Sequence, residues 1–156
     1  MIDNHHELSE FLDKLGRQTF VVQMPPRSAP RPIRSRGRIM NPPWYTEYKQ
    51  IMADKMREAF AENGWPVVSR RYIGMMLTSY FPYPKAFKGE REEGAPVGTT
   101  PGDAIKNDTD NLAKAPMDVM QSIGLVGNDS AFSIIIPIAA RTNLDPRIKI
   151  TLYYIP

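Results

Sequence analysis

Fifteen prolines punctuate this chain of 156 residues, and they constrain its fold more than any other feature. Each fixes φ near −65° and removes a backbone donor, so neither a helix interior nor a central strand runs through a group of them. They gather at Pro25-Pro26, Pro30, Pro32 and Pro42-Pro43, and again at Pro82, Pro84, Pro96 and Pro101. Long irregular connections are therefore expected at 25–43 and 82–106, the second of them mobile, with few and short regular elements around them.

Between the prolines the patterning is clear. Residues 7–15 set Leu8, Phe11, Leu12 and Leu15 at helical spacing, which predicts a short amphipathic helix within an N-terminal extension, 1–16. "RQTFVVQM" (17–24) reads as a strand ending at Pro25-Pro26. From Trp44 to about Ala61, Tyr48, Ile51, Met52, Met56, Ala59 and Phe60 follow a 3.6 period, and Asn63-Gly64 ends that helix, with Trp44, Tyr45 and Tyr48 read as packing residues rather than base-stacking groups. "PVVSRRYIGMMLTSYF" (66–81) predicts a strand with a possible bulge at Gly74. A second helix is expected over 111–123, with Leu112, Val119, Met120 and Ile123 on one face and Gly124 as its cap. "SAFSIIIPIAA" and "RIKITLYYI" predict two strands joined by "RTNLDP" as a hairpin. The result is one α+β domain over 17–156, a small mixed β-sheet with two main helices, preceded by the short N-terminal helix.

Composition narrows the chemistry. With no cysteine, disulfides and thiolate metal sites are excluded, and both histidines sit together at positions 5 and 6. No apolar run approaches the ~20 residues of a membrane span, and the acidic N-terminus lacks an apolar signal core, so no membrane role and an intracellular, cytoplasmic setting are expected. The net charge is +3, but its distribution says more. Residues 17–43 hold six arginines and no acid. Arg27, Arg31, Arg34, Arg36 and Arg38 lie in the proline loop, a pattern suited to an anionic polymer, nucleic acid above all. The same loop also reads as a solvated arm without a role. Lys85 and Lys88 in the second connection divide between a flap over nucleic acid and an ordinary solvated loop, since Glu90, Glu92 and Glu93 lie close by.

The acids of "KNDTDNLAKAPMDVMQSIGLVGND" raise a sharper question. Asp108 and Asp110 leave an extended backbone on the same side, whereas a helix would separate them by about 200°. They can share a ligand only if 107–110 is extended and the helix begins after Asp110. Two carboxylates converging there form a hard-oxygen site suited to Mg²⁺, which takes one or two carboxylates, waters and phosphate oxygens. Mg²⁺ or Mn²⁺ acting on a phosphodiester is the corresponding hypothesis. Lys114, four residues after Asp110, could offset charge developing on the phosphate or form a simple i,i+4 salt bridge. Asp118, four after Lys114, reads as its helix-surface partner. The competing view makes the acids helix caps in a non-catalytic nucleic-acid-binding protein.

These residues bring a known family into view. "DTDNLAKAPMDVMQSIGLVGND" resembles the signature of the RusA-type Holliday-junction resolvases: Asp-x-Asp-Asn-Leu-x-Lys, a helix, then a further acid. It is carried here by Asp108, Asp110, Asn111, Leu112, Lys114 and Asp129. "VVQMPPRSAPRP" and "SRGRIMNPPWYTEYKQIMADKM" are similar to the opening strand, Pro-Pro turn, basic loop and Tyr-containing helix of that family, often encoded by phages and prophages. The resemblance covers roughly 19–155. It implies a Mg²⁺-dependent endodeoxyribonuclease, with Mn²⁺ able to substitute. Such an enzyme acts as a homodimer on branched, four-way DNA in recombination and repair, making paired symmetric nicks. By the same resemblance Asp108, Asp110 and Asp129 bind metal and Lys114 assists catalysis. The chain departs from its relatives at Asn107 and Asn128, where many carry Pro and some a further acid. Pro116 is expected to remove a hydrogen bond in the second turn of the helix, kink it and swing Lys114 relative to the acids. A helix over 112–123 would be ~18 Å long, so Asp129 returns to the pair only if that helix is shorter, bends at Pro116 or is followed by a nearly straight return, or if the partner subunit supplies it.

Overall fold

The computed structural model describes residues 4–65, 71–99, 109–127 and 132–156. Its sheet is built from period-2 patterns. In β1 (Gly16–Val22) Gln18, Phe20 and Val22 turn inward while their neighbours face outward. The same alternation runs along β4 (Tyr72–Pro82), which buries Met75 and Leu77, and along β6 (Arg147–Tyr154), which buries Ile148, Ile150 and Leu152. With β5 (Ile134–Thr142) these strands form a four-stranded sheet in the order β1-β6-β4-β5. Only the β4–β5 pair is parallel. The sheet is therefore mixed, as expected. The pairing shifts register between Tyr72 and Gly74, the bulge anticipated at that glycine. The start of the expected strand, 66–70, lies outside the described residues.

Two helices complete the core. α2 (Pro43–Glu62) opens with proline at its first positions, where a missing N–H costs nothing. It buries Tyr45, Tyr48, Met52, Ala53, Met56 and Phe60. α3 (Lys114–Ser122) contributes Ala115, Val119 and Met120 to the same apolar cluster as Phe20, Met75, Leu77 and Ile150. Both helices end alike. Gly64 (φ 68°) and Gly124 (φ 80°) take the left-handed conformation, and the next residue returns a hydrogen bond to the last turn: Trp65 to Phe60 at 2.9 Å, Leu125 to Met120 at 2.9 Å. An N-terminal helix, α1 (Asn4–Asp13), keeps Leu8 and Phe11 exposed.

Three expectations are corrected. The strands at 134–142 and 147–154 do not form a hairpin, because β4 lies between them, parallel to β5 and antiparallel to β6. The link 143–146 spans the ~10 Å of two strand spacings, within reach of four extended residues. The proline loop is not wholly irregular either. It holds a two-stranded hairpin of its own, β2 (Ile33–Ser35) and β3 (Arg38–Met40), outside the central sheet. Arg36 (φ 50°) and Gly37 (φ 75°) turn it, both at positive φ as a type I′ turn requires.

The second connection, read as mobile, is tied down over 91–97. Gly94 donates to Arg141, Arg141 to Ala95 and Val97 to Ala139, all within 3.0 Å, so this segment lies along the outer edge of β5. Glu93 clasps it by accepting from Thr142 Oγ1 and the Asn143 N–H, each at 2.6 Å. The hydrogen bonds of Thr142, then Asn143, with Arg147 beside them, hold the Glu93 carboxyl below its ordinary range. Further down the same edge stands Pro137, where the missing N–H costs no bond to β4.

Candidate active site

The approach to the acids differs from the extended one that the spacing suggested. Thr109 is already right-handed helical (φ −60°, ψ −37°), and a 3₁₀ turn runs through Asp110–Leu112 before α3 begins at Lys114. Leu112 donates to Thr109 and Ala113 to Asp110, both at 3.2 Å. The condition set for a shared ligand, extended backbone with the helix starting after Asp110, is thus not met at Thr109. Asp108 and Asp129 lie outside the described residues. Neither N-terminal position, Thr109 or Ala113, makes a side-chain cap bond, and Asp110 has no hydrogen-bonded or ionic partner among the described residues. The acid at 110 is therefore not a helix cap.

Pro116 falls at the third position of α3 rather than in its second turn. The first intrahelical bond is that of Met117 to Ala113, at 3.1 Å, so the proline removes no donor the helix needs. Its ring is buried, and Lys114 stays exposed on the opening turn. The expected displacement of Lys114 thus has no backbone cause. The helix proper has nine residues, shorter than the 12 assumed for the return to Asp129.

Asp110, Asn111, Ala113, Lys114, Met117 and Asp118 form one side of a cleft of about 480 Å³, and Ile135 and Pro137 of β5 form the other. Asp110 and Lys114 thus face a common space, as their four-residue spacing requires. They form no ion pair with each other among the described residues. Asp118 is the lining residue that sequence reasoning misplaced. Its partner is Lys49 of α2, at 3.8 Å, rather than Lys114. The eight-residue step from Asp110 to Asp118, two helical turns, was the signal that could have placed it in the cleft.

The basic loop is attached to this site. The Ala29 N–H donates to the carbonyl of Asn111 at 3.2 Å. Just before it, Tyr48 Oη accepts from the Arg27 N–H (3.1 Å) and donates to the Pro25 carbonyl (2.9 Å), stapling the Pro-Pro turn to α2. Burial pushes the Tyr48 phenol up to about 12, with Arg27 pulling the other way, so it stays a donor throughout the neutral range. The Arg27 guanidinium stacks 3.7 Å from the Trp44 ring centre, which commits that arginine to holding the loop. Trp44, Tyr45 and Tyr48 are packing residues, as read from the sequence. Arg31, Arg34, Arg36 and Arg38 are exposed, and so are Lys85 and Lys88 on a turn stiffened by the Tyr83–Phe87 contact (4.8 Å).

A cleft with an ammonium and a carboxylate unpaired among the described residues, joined to an arginine-bearing loop, suits work on a phosphate backbone. No curated protein sequence matches the chain. The sequence pattern of a family described as endodeoxyribonuclease RusA matches residues 23–153, from the end of β1 through the basic loop, the cleft and nearly all of β6. The chain belongs to the RusA family of Holliday-junction endodeoxyribonucleases.

Proposed function

We propose that the chain resolves four-way DNA junctions as a Mg²⁺-dependent homodimer, each subunit nicking one of two strands of like polarity. The observation that carries this reading is the placement of Asp110 and Lys114 in one cleft to which the basic loop is hydrogen-bonded at Asn111. Asp110 is exposed and bonded to no other described side chain, the state expected of a carboxylate kept for a hard cation. The described residues contain no complete cluster of metal-binding side chains, so the reading needs Asp108 and Asp129 to complete the set. When bound, the ion supplies positive charge against the phosphate and a more acidic water.

The chain's own residues do the rest. Asp110 holds the ion together with Asp108 and Asp129, the helical turn at Thr109 taking the place of the extended approach expected for the pair, and Lys114 directs its ammonium at the charge that builds on the scissile phosphate. The apolar wall of Ile135 and Pro137 keeps bulk water from one side of the cleft. Arg31, Arg34, Arg36 and Arg38 hold the backbone of a junction arm, with Lys85 and Lys88 as a second contact.

The test is Asp110→Asn on synthetic four-way and linear duplexes, with Mg²⁺ or EDTA. Cleavage should fall at least a hundredfold, junction binding should persist, and the melting temperature should hold, because the carboxylate supports no other group among the described residues. A drop in melting temperature with cleavage intact would refute the assignment. Mixed Asp108→Asn and Asp129→Asn subunits decide how the site is built. Activity regained in the mixture means that acids are shared across the dimer, and its absence means that each subunit is complete.

A further inference from the structure

The β2–β3 hairpin is exposed along its whole length, residues 31–41. Three large apolar side chains sit on it without serving any core: Ile33 is 50% exposed, Ile39 69% and Met40 55%. Ile33 pairs directly with Met40 on one face, and Arg34 with Ile39 on the other. Arg36 and Arg38 occupy the turn and the start of β3. An isolated two-stranded ribbon with three-residue strands gains little from its own pairing, so neither its order nor its apolar load is explained by stability.

The occupant follows from charge. The hairpin and its flanks, 17–43, carry six arginines and no acid. A second copy meeting the same arm across a two-fold axis would set arginines against arginines. A polyanion fits instead, and it must also offer apolar surface. Intact duplex hides its base faces in the stack, whereas the exchange point of a branched DNA exposes them. The root of the arm lies beside the site, since Ala29, four residues before Ile33, is bonded to Asn111. Strands of three residues carry the tip ~10 Å from that root.

We propose that this hairpin is a branch-sensing wedge, whose arginines grip phosphates while Ile39 on one face and Met40 on the other meet the unstacked bases on either side of it at the junction centre. Resting on the nuclease reading above, it adds the element that tells branched from linear DNA. Apolar side chains inserted at a base step trade unstacking energy for contact, which is least costly where the stack is already broken. The arginines then supply affinity common to all DNA, and the apolar pair supplies the preference for branches.

The experiment measures binding in EDTA, without cleavage, to a four-way junction carrying 2-aminopurine at the exchange point and to a duplex of matched length. Wild-type protein should raise the 2-aminopurine fluorescence and prefer the junction. The doubly substituted I39S/M40S should keep duplex affinity and its salt slope, lose the fluorescence rise, and lose about tenfold of the junction preference. The triple variant R34Q/R36Q/R38Q should weaken on both DNAs, with a salt slope smaller by about 0.9 for each phosphate no longer neutralised. Because all five positions are exposed, unchanged circular dichroism should accompany both variants. The wedge is overturned if I39S/M40S unstacks and prefers the junction like wild type. It is equally overturned if that variant turns from dimer to monomer in sedimentation, which would make the arm a self-association surface. Failure of wild-type protein to cut the junction with Mg²⁺ would refute the nuclease reading, while the fluorescence result would stand by itself.

Discussion

Tyr45 and Tyr48 sit one helical turn apart on α2, and burial pushes both phenols up to about 12, yet their hydroxyls do different work. That of Tyr48 staples the Pro25-Pro26 turn through two hydrogen bonds, whereas that of Tyr45 is buried without a partner among the described residues. Tyr48→Phe should therefore cost about 1 kcal/mol, lowering the melting temperature by roughly 2–4 °C. It should also weaken junction binding, since the basic loop loses its anchor. Tyr45→Phe should leave the melting temperature unchanged or raise it, because it removes a polar group that burial only penalises. Differential scanning fluorimetry on the two variants checks both outcomes. The packing role of these aromatics was legible in the 3.6-residue period. Which hydroxyl finds a partner was not, since that depends on a turn 23 residues away. Asp118 makes the same point: local spacing suggested Lys114, and the fold supplied Lys49 from another helix.

Elements were legible where their signals are local. Asn63-Gly64 and Gly124 mark helix ends because the left-handed residue and its hydrogen bond lie within one turn. Gly124→Ala should cost about 1 kcal/mol in urea denaturation, and the penalty is purely one of backbone conformation, as an added methyl would meet open space. Pairing is not local, and there the reading failed: "RTNLDP" has the length of a hairpin loop but steps over β4. In the β2–β3 hairpin, Arg36-Gly37 stands where Asn-Gly would have announced the turn. The segment along β5 was misread because its clasp, Glu93 on Thr142 and Asn143, joins residues some 50 positions apart. This clasp depends on pH. A carboxyl held below its ordinary value contributes above that value, near 4.5, and loses its contribution as pH falls through the lower folded value. Exchange of the Gly94, Val97 and Arg141 amides, corrected for intrinsic rates, should accelerate on acidification below about pH 4.5. Glu93→Gln should show fast exchange throughout.

In the whole molecule, β4 carries the most responsibility, because it bonds β6 on one side and β5 on the other. The segment lining the cleft, 110–118, belongs to the crossover between β4 and β5, so the cleft exists only while that parallel pair holds. Leu77→Ala, at a fully buried position on β4, should cost 2–5 kcal/mol. Far-ultraviolet dichroism and tryptophan fluorescence should shift together, since Trp65 packs on Phe20 and Phe60 across the same core. The class of fold was readable in the mixture of periods, and the meeting of Asp110 and Lys114 in one cleft in their four-residue spacing. Strand order was not, since period-2 patterns name a strand without naming its neighbour. Pro137 draws a last consequence from that order. It interrupts the outer rim of β5 next to an Ile-rich run, where an unbroken row of donors would invite recruitment of a further chain. Replacing it with valine should turn this rim adhesive, and amyloid-type growth, visible by thioflavin binding on warming, should follow where the native chain stays dispersed.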